Sequence, residues 1–145
     1  MIVTFCGHSD FKDNESYTQK MLDFLEKAVG DRSAEMYLGG YGEFESFAYK
    51  CCKKYKEKHS NISLIFVTPY VISEQQENRY SSYDYIIYPG IENIPPKFAI
   101  LHRNRYMIEQ ADCVIAYITH SWGGAYSTYE YAKRKGKMVF NIAEL

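Results

Sequence analysis

Short apolar runs alternate with stretches in which apolar residues return every three or four positions, and this alternation leaves the chain few folds to choose from. "IVTFC" is followed by Tyr17, Met21, Leu25 and Ala28 at helical spacing, and "MYLGG" by Phe44, Phe47, Ala48, Cys51, Cys52 and Tyr55. "ISLIFVTP", "YIIYPG", "CVIAYIT" and "MVFNI" continue the series, with helices expected from about Lys97 and from about Gly124. Strand–helix alternation implies a parallel sheet, and right-handed crossovers place helices on both of its faces. The expected fold is therefore α/β: a Rossmann-like, doubly wound, mainly parallel sheet of five to six strands, with residues 1–145 as one domain. Val71 to Tyr83 lacks a clear period and reads as a short helix or a flap.

A chain of 145 residues buries about two-thirds of the surface its unfolded form exposes, so it needs neither disulfides nor a metal to hold a core. Cys6, Cys51, Cys52 and Cys113 follow no disulfide or C-x-x-C pattern and read as reduced core thiols. No apolar run reaches the roughly 18 residues of a membrane span, and the amino terminus opens on a strand-like "MIVTF", which makes a cytoplasmic protein the expectation. Formal net charge is −1, and the basic stretches Lys53-Lys54 and Lys133 to Lys135 are short and helical. On that count duplex nucleic acid is not an expected partner.

In an open parallel sheet, ligands bind outside the carboxyl ends of the strands, near the point where strand order reverses. The unusual residues fall there. The first strand runs into Gly7, His8 and Ser9, the second into Gly39, Gly40 and Gly42, and the penultimate one into Ser121, Trp122, Gly123 and Gly124. Glycine lets backbone N–H groups approach a ligand, and each loop feeds a helix whose amino terminus favours an anion, so a phosphate is the natural guest. G-x-G-x-x-G, G-x-S-x-G and P-loop motifs are absent, which sets aside an ordinary dinucleotide site, a hydrolase elbow and Walker-type chemistry. His8, His102 and His120 could converge at this edge, but no spacing pre-arranges metal ligands, and no metal or cofactor is expected; His59 reads as a surface residue.

On the helix from about Lys97, Ile100, Leu101, Met107, Ile108 and Ala111 form one apolar arc with Asn104 in its middle. Arg103 and Arg105 stand on the two margins. A guanidinium at a core margin needs an anion or a carbonyl, and a buried amide needs partners. Arg103 is assigned to an anion site, whereas Arg105 is assigned a snorkelling surface role.

"HRNRYMIEQADCVIAYI" followed by "GGAYSTYEYAKRKGKMVFNI", together with "VTFCGHSDF" and "LGGYGEFESFA", resembles the SLOG superfamily, which joins the Smf DNA-processing proteins with the "lonely guy" phosphoribohydrolases. The phosphoribohydrolases carry "PGGxGTxxE" preceded by an arginine nine residues before a "DA" pair. Here Arg103 stands nine residues before Asp112, and Gly123, Gly124 and Glu130 match the glycine pair and the glutamate. The resemblance implies Arg103 and Glu130 as a catalytic pair. Trp122, Tyr126 and Ser127 replace the family's proline, third glycine and threonine, and Tyr126 would either fill the phosphate space or stack on a base. Relatives that dimerise beside the site imply a homodimer or larger assembly.

The expected function is binding of a nucleoside monophosphate or an ADP-ribose-like signal at the carboxyl edge, as a sensor or sequestering module. Whether the protein turns a substrate over is left open, the enzymatic alternative being N-glycosidic cleavage of a nucleoside 5′-monophosphate. Single-stranded DNA binding, implied by the Smf branch, ranks last because near-neutral charge opposes a basic strand groove.

Overall fold

A computed structural model describes residues 1–144. Six strands, β1 (Ile2–Gly7), β2 (Ala34–Leu38), β3 (Ile62–Val67), β4 (Tyr85–Ile87), β5 (Cys113–Tyr117) and β6 (Met138–Asn141), form one sheet in the order β4-β3-β2-β1-β5-β6. Every pairing is parallel, as the strand–helix alternation requires. The chain steps outward from β1 to β4, then returns to the other side of β1 to lay down β5 and β6. Strand order therefore reverses between β1 and β5, where Val3 to Gly7 run in register with Cys113 to Tyr117.

Two helices, α1 (Glu15–Ala28) and α2 (Glu43–Lys56), pack together over one part of the sheet, and α4 (Ala99–Gln110) and α5 (Gly124–Arg134) pack together elsewhere on it. The first pair closes the larger core, built on Val3, Phe5, Met21, Leu25, Met36 and Phe44. The apolar stripe anticipated on α2, from Phe44 to Tyr55, is buried throughout. All four cysteines are buried and unpaired. Between Val71 and Tyr83 the chain makes one short helix, α3 (Glu74–Glu77), capped by Ser73 and Gln76, which runs into a 3-10 turn at Asn78–Tyr80. No helix among the described residues is long and apolar enough to cross a membrane.

Helix α4 departs from the arc read along its sequence. The stripe against the sheet is Ala99, Arg103, Met107 and Ile108, so Arg103 is buried rather than marginal, and Ile100 is exposed. Arg103 can be buried because its guanidinium reaches the carbonyls of Gly39 and Val67 at the ends of the strands. Arg105 lies across the ring of Tyr131, as a snorkelling arginine does. His59 is half-buried, stacked on Tyr55 with Nδ1 3.0 Å from that residue's carbonyl and Nε2 3.2 Å from Glu26, which corrects its reading as a surface residue.

Candidate functional site

Two cavities open at the reversal of strand order, which is where an open α/β sheet places its ligands. The first, about 160 Å³, lies among Gly7, Tyr41, Glu45, Arg103, Asn104 and Thr128. The second, about 500 Å³, lies among His8, Ser9, Asp10, His120, Trp122 and Gly123. Gly124 lines both. A third, beside them, is bounded by Gly40, Gly42, Glu45, Ser46, Tyr49 and Tyr83.

Helix α5 starts after Gly123, whose φ of +92° only glycine adopts readily, and no side chain caps its first turn. A side chain at Gly124 would meet nothing within 4 Å, so neither packing nor conformation demands glycine there, and the helix start stays open to an incoming group. Gly7 is different. A Cβ on it would sit 2.4 Å from the Phe44 ring, so its bareness serves the packing of β1 against α2.

Arg103, only 3% exposed, is bound by the protein itself. Its Nη1 donates to the carbonyls of Gly39 at 2.9 Å and Val67 at 2.8 Å, and its Nε donates to Asn104 Oδ1 at 2.9 Å. The guanidinium thus ties α4 to the carboxyl ends of β2 and β3, and Asn104 orients it. Of the two partners open to it from sequence, an anion or a carbonyl, the structure supplies carbonyls. Its charge still faces Tyr41, whose ring centroid lies 5.4 Å away.

Glu45, in the first turn of α2 and without a role assigned from sequence, lines the first and third cavities. Its Oε2 accepts the Gly39 N–H at 3.0 Å, so Glu45 and Arg103 hold the two polar groups of one peptide loop from opposite directions. Burial pushes the Glu45 carboxyl up to about 7, against the pull of the Gly39 N–H and of Arg103. Because the folded value lies above the unfolded one, this group's contribution to stability is fully present below about pH 4.5 and is lost as pH rises through about 7. Glu45→Gln retains an acceptor for Gly39 but cannot ionise. Thermal unfolding of that variant should lose this fall in stability between about pH 4.5 and about pH 8, and should match or exceed wild type at the alkaline end. A wild-type melting profile as flat as the variant's would contradict the assignment.

The residues singled out in the sequence do not all converge. Gly7, Arg103, Asn104 and Gly124 line the first cavity, and His8, Ser9, Trp122 and Gly123 the second, while Gly40 and Gly42 line the third. Gly39 lies under Arg103. Ser121 and Ser127 are exposed and line none of the three, and Tyr126 packs against the smaller core beside α5. Glu130 pairs with Lys133 at 3.0 Å, and the lysine's hydrogen bond holds its carboxyl below the usual range. Glu130 lines none of the three cavities that bracket the helix start, so the structure does not bring it together with Arg103 there. Thr128 faces the first cavity instead, its hydroxyl donating to the Gly124 carbonyl at 2.9 Å. His8 and His120 do meet, as parallel rings 3.6 Å apart. No cluster of three or more His, Cys, Asp or Glu able to hold a metal occurs among the described residues.

Apart from Trp122, the exposed aromatic residues at this edge carried no site assignment from sequence. Among the described residues nine large apolar side chains are exposed, and six of them, Tyr41, Tyr70, Val71, Phe98, Ile100 and Trp122, stand on loops or helix starts at the carboxyl edge. Lys97 lies over the Phe98 ring at 5.1 Å. The signal in the sequence was a tyrosine or tryptophan directly beside a glycine or proline in three of these loops, "GGYG", "TPY" and "SWGG".

No family model and no curated protein matches the sequence. Solved structures do match in fold. DNA processing protein A from Helicobacter pylori superposes with a TM-score of 0.64 at 17% identity, over 97% of this chain and 64% of that one. DNA processing protein A (DprA) from Streptococcus pneumoniae superposes with a TM-score of 0.65 at 19% identity, over 96% of this chain and 49% of that one. The chain thus spans from about half to just under two-thirds of the length of these two proteins, and at such identities the likeness shows the fold. It agrees with the SLOG-type architecture anticipated from the motifs.

The Helicobacter protein is described by its unique single-stranded DNA binding mode. Two expectations are corrected on that finding: that the ligand is a nucleoside monophosphate or an ADP-ribose-like signal, and that single-stranded DNA ranks last among the partners. Net charge sums the whole surface, whereas a single strand is also gripped through stacking on a few exposed rings.

Proposed function

We propose that this chain binds single-stranded DNA along the carboxyl edge of its sheet, as one module of the SLOG type. The observation that carries the reading is the row of exposed rings there: Tyr41, 48% exposed, Tyr70, 44%, and Trp122, 68%. Stacking on such rings is sequence-tolerant and contributes about 1–3 kcal/mol per base, and it requires bases whose faces are free, which a duplex does not offer. The fold likeness to DNA-processing proteins supports the same reading. Phosphates find the uncapped start of α5 and the exposed Lys12 and Lys97, with Asp10, Asp13 and Glu43 close by in the same loops. Few phosphates are neutralised on such a surface.

Anisotropy of a labelled oligo-dT should therefore rise with protein at low salt. The logarithm of affinity should fall with the logarithm of salt by only about 0.7–1.5, as for one or two neutralised phosphates. A duplex of equal length should bind at least about tenfold more weakly, and nucleoside monophosphates should compete poorly. No binding, or equal affinity for duplex, would overturn the proposal.

A further inference from the structure

The second cavity contains a ladder of three rings. His8 lies on His120 with centroids 3.6 Å and planes 13° apart, and His120 lies on Trp122 at 3.8 Å and 24°. The ladder starts in the core, where His8 is 5% exposed, and ends in solvent at the only tryptophan of the chain, 68% exposed. An indole left outside forfeits its apolar burial, yet this one is braced on one face by a ring that is itself braced. The lower rungs are fixed: the His8 N–H donates to the Tyr117 carbonyl at 3.2 Å, and the His120 N–H donates to His8 Nε2 at 3.4 Å. His8 Nε2 is thus an acceptor.

Burial and the neighbouring His120 hold the His8 imidazole below its ordinary pKa, which favours the neutral ring that this bond requires. His120 Nδ1 is the one buried side-chain polar atom without a hydrogen-bond partner among the described residues. A protein that keeps such an atom beside an exposed tryptophan has not arranged this corner for packing alone.

We propose that one unpaired nucleobase extends the ladder by stacking on the free part of the Trp122 indole, which makes this cavity the base subsite of the strand-binding edge. The inference rests on the reading that the edge binds single-stranded DNA. A volume of about 500 Å³ lies in the range of pockets that hold small ligands and admits one nucleotide unit. Asp10 in the same wall disfavours phosphate beside it, so the base rests on Trp122 while the backbone lies towards the start of α5. Bases in a duplex are already covered on both faces and cannot add to the ladder. Every base has a π-face, so the subsite selects unpaired nucleotides with little regard to sequence.

Because Trp122 is the only tryptophan, its emission, excited at the red edge where tyrosine is silent, reports on this subsite alone. The full chain is titrated with an oligo-dT of about 12 nucleotides and with an abasic strand of equal length, while the anisotropy of each labelled strand is read separately. The dT strand should quench Trp122, and the abasic strand should bind more weakly without quenching it. Trp122→Ala should weaken dT about five- to hundredfold and leave the abasic strand unchanged, whereas Trp122→Phe should retain most of the affinity. Circular dichroism confirms that both variants fold. Binding of dT without quenching, or equal losses for both strands in Trp122→Ala, would overturn the subsite while leaving strand binding intact. A flat anisotropy for dT with wild-type protein would remove strand binding itself, and the subsite with it.

Discussion

Arg103→Ala should destabilise the domain by about 3–6 kcal/mol in urea unfolding, since it removes two charge-assisted hydrogen bonds worth about 1.5–3 kcal/mol each. The carbonyls of Gly39 and Val67 would be left without their donor at the ends of two central strands. An ordinary domain has about 5–15 kcal/mol in total, so this one side chain accounts for a large share. Arg103→Lys keeps the charge but loses the planar fork, and one ammonium cannot serve two carbonyls and Asn104 in the same geometry, so an intermediate loss is expected. A change below about 1 kcal/mol for Arg103→Ala would show that the bracket is not what orders the Gly39 loop.

The fold was legible because burial is written in period. Val3, Phe5 and Leu64 had to face a core, and six short apolar runs separated by helix-period stretches admit a parallel sheet. The gathering of the glycine loops around neighbouring cavities was legible for the same reason, since strand order fixes which loops share an edge. The roles of individual residues were not. Arg103 bonds to carbonyls 36 and 64 residues away, and His120 meets His8 across 112 residues, separations that no local pattern encodes.

Glu45 was in plain view, yet its reach to Gly39 depends on the turn at Gly42, where φ is +89°. Gly7 and Glu130 carry contacts that their motifs do not announce: Gly7 makes room for Phe44, and the Glu130 carboxyl pairs with Lys133. Whole-chain charge ranked strand binding last because it counts charges over the entire surface and is blind to the exposed rings at the carboxyl edge.

The second large effect concerns those rings. Tyr41→Ala with Tyr70→Ala should weaken oligo-dT by about 2–6 kcal/mol, from roughly thirtyfold to beyond detection, at about 1–3 kcal/mol for each stacked base. Stability should change little, because both rings are nearly half exposed. Tyr41 also covers Arg103, so Tyr41→Phe, which keeps the ring over the guanidinium, should bind almost as wild type. An unchanged affinity in the double alanine variant, with the fold intact by circular dichroism, would exclude these rings from the interface.

The account stands on where a strand lies, and photochemical cross-linking measures that directly. An oligonucleotide carrying 5-iododeoxyuridine is irradiated with the full chain, and the joined peptides are identified by mass spectrometry. Cross-links to Tyr41, Tyr70 and Trp122, in the loops after β2, β3 and β5, are the predicted result. Cross-links confined to the opposite edge, around Phe24, Met138 and Phe140, would contradict it.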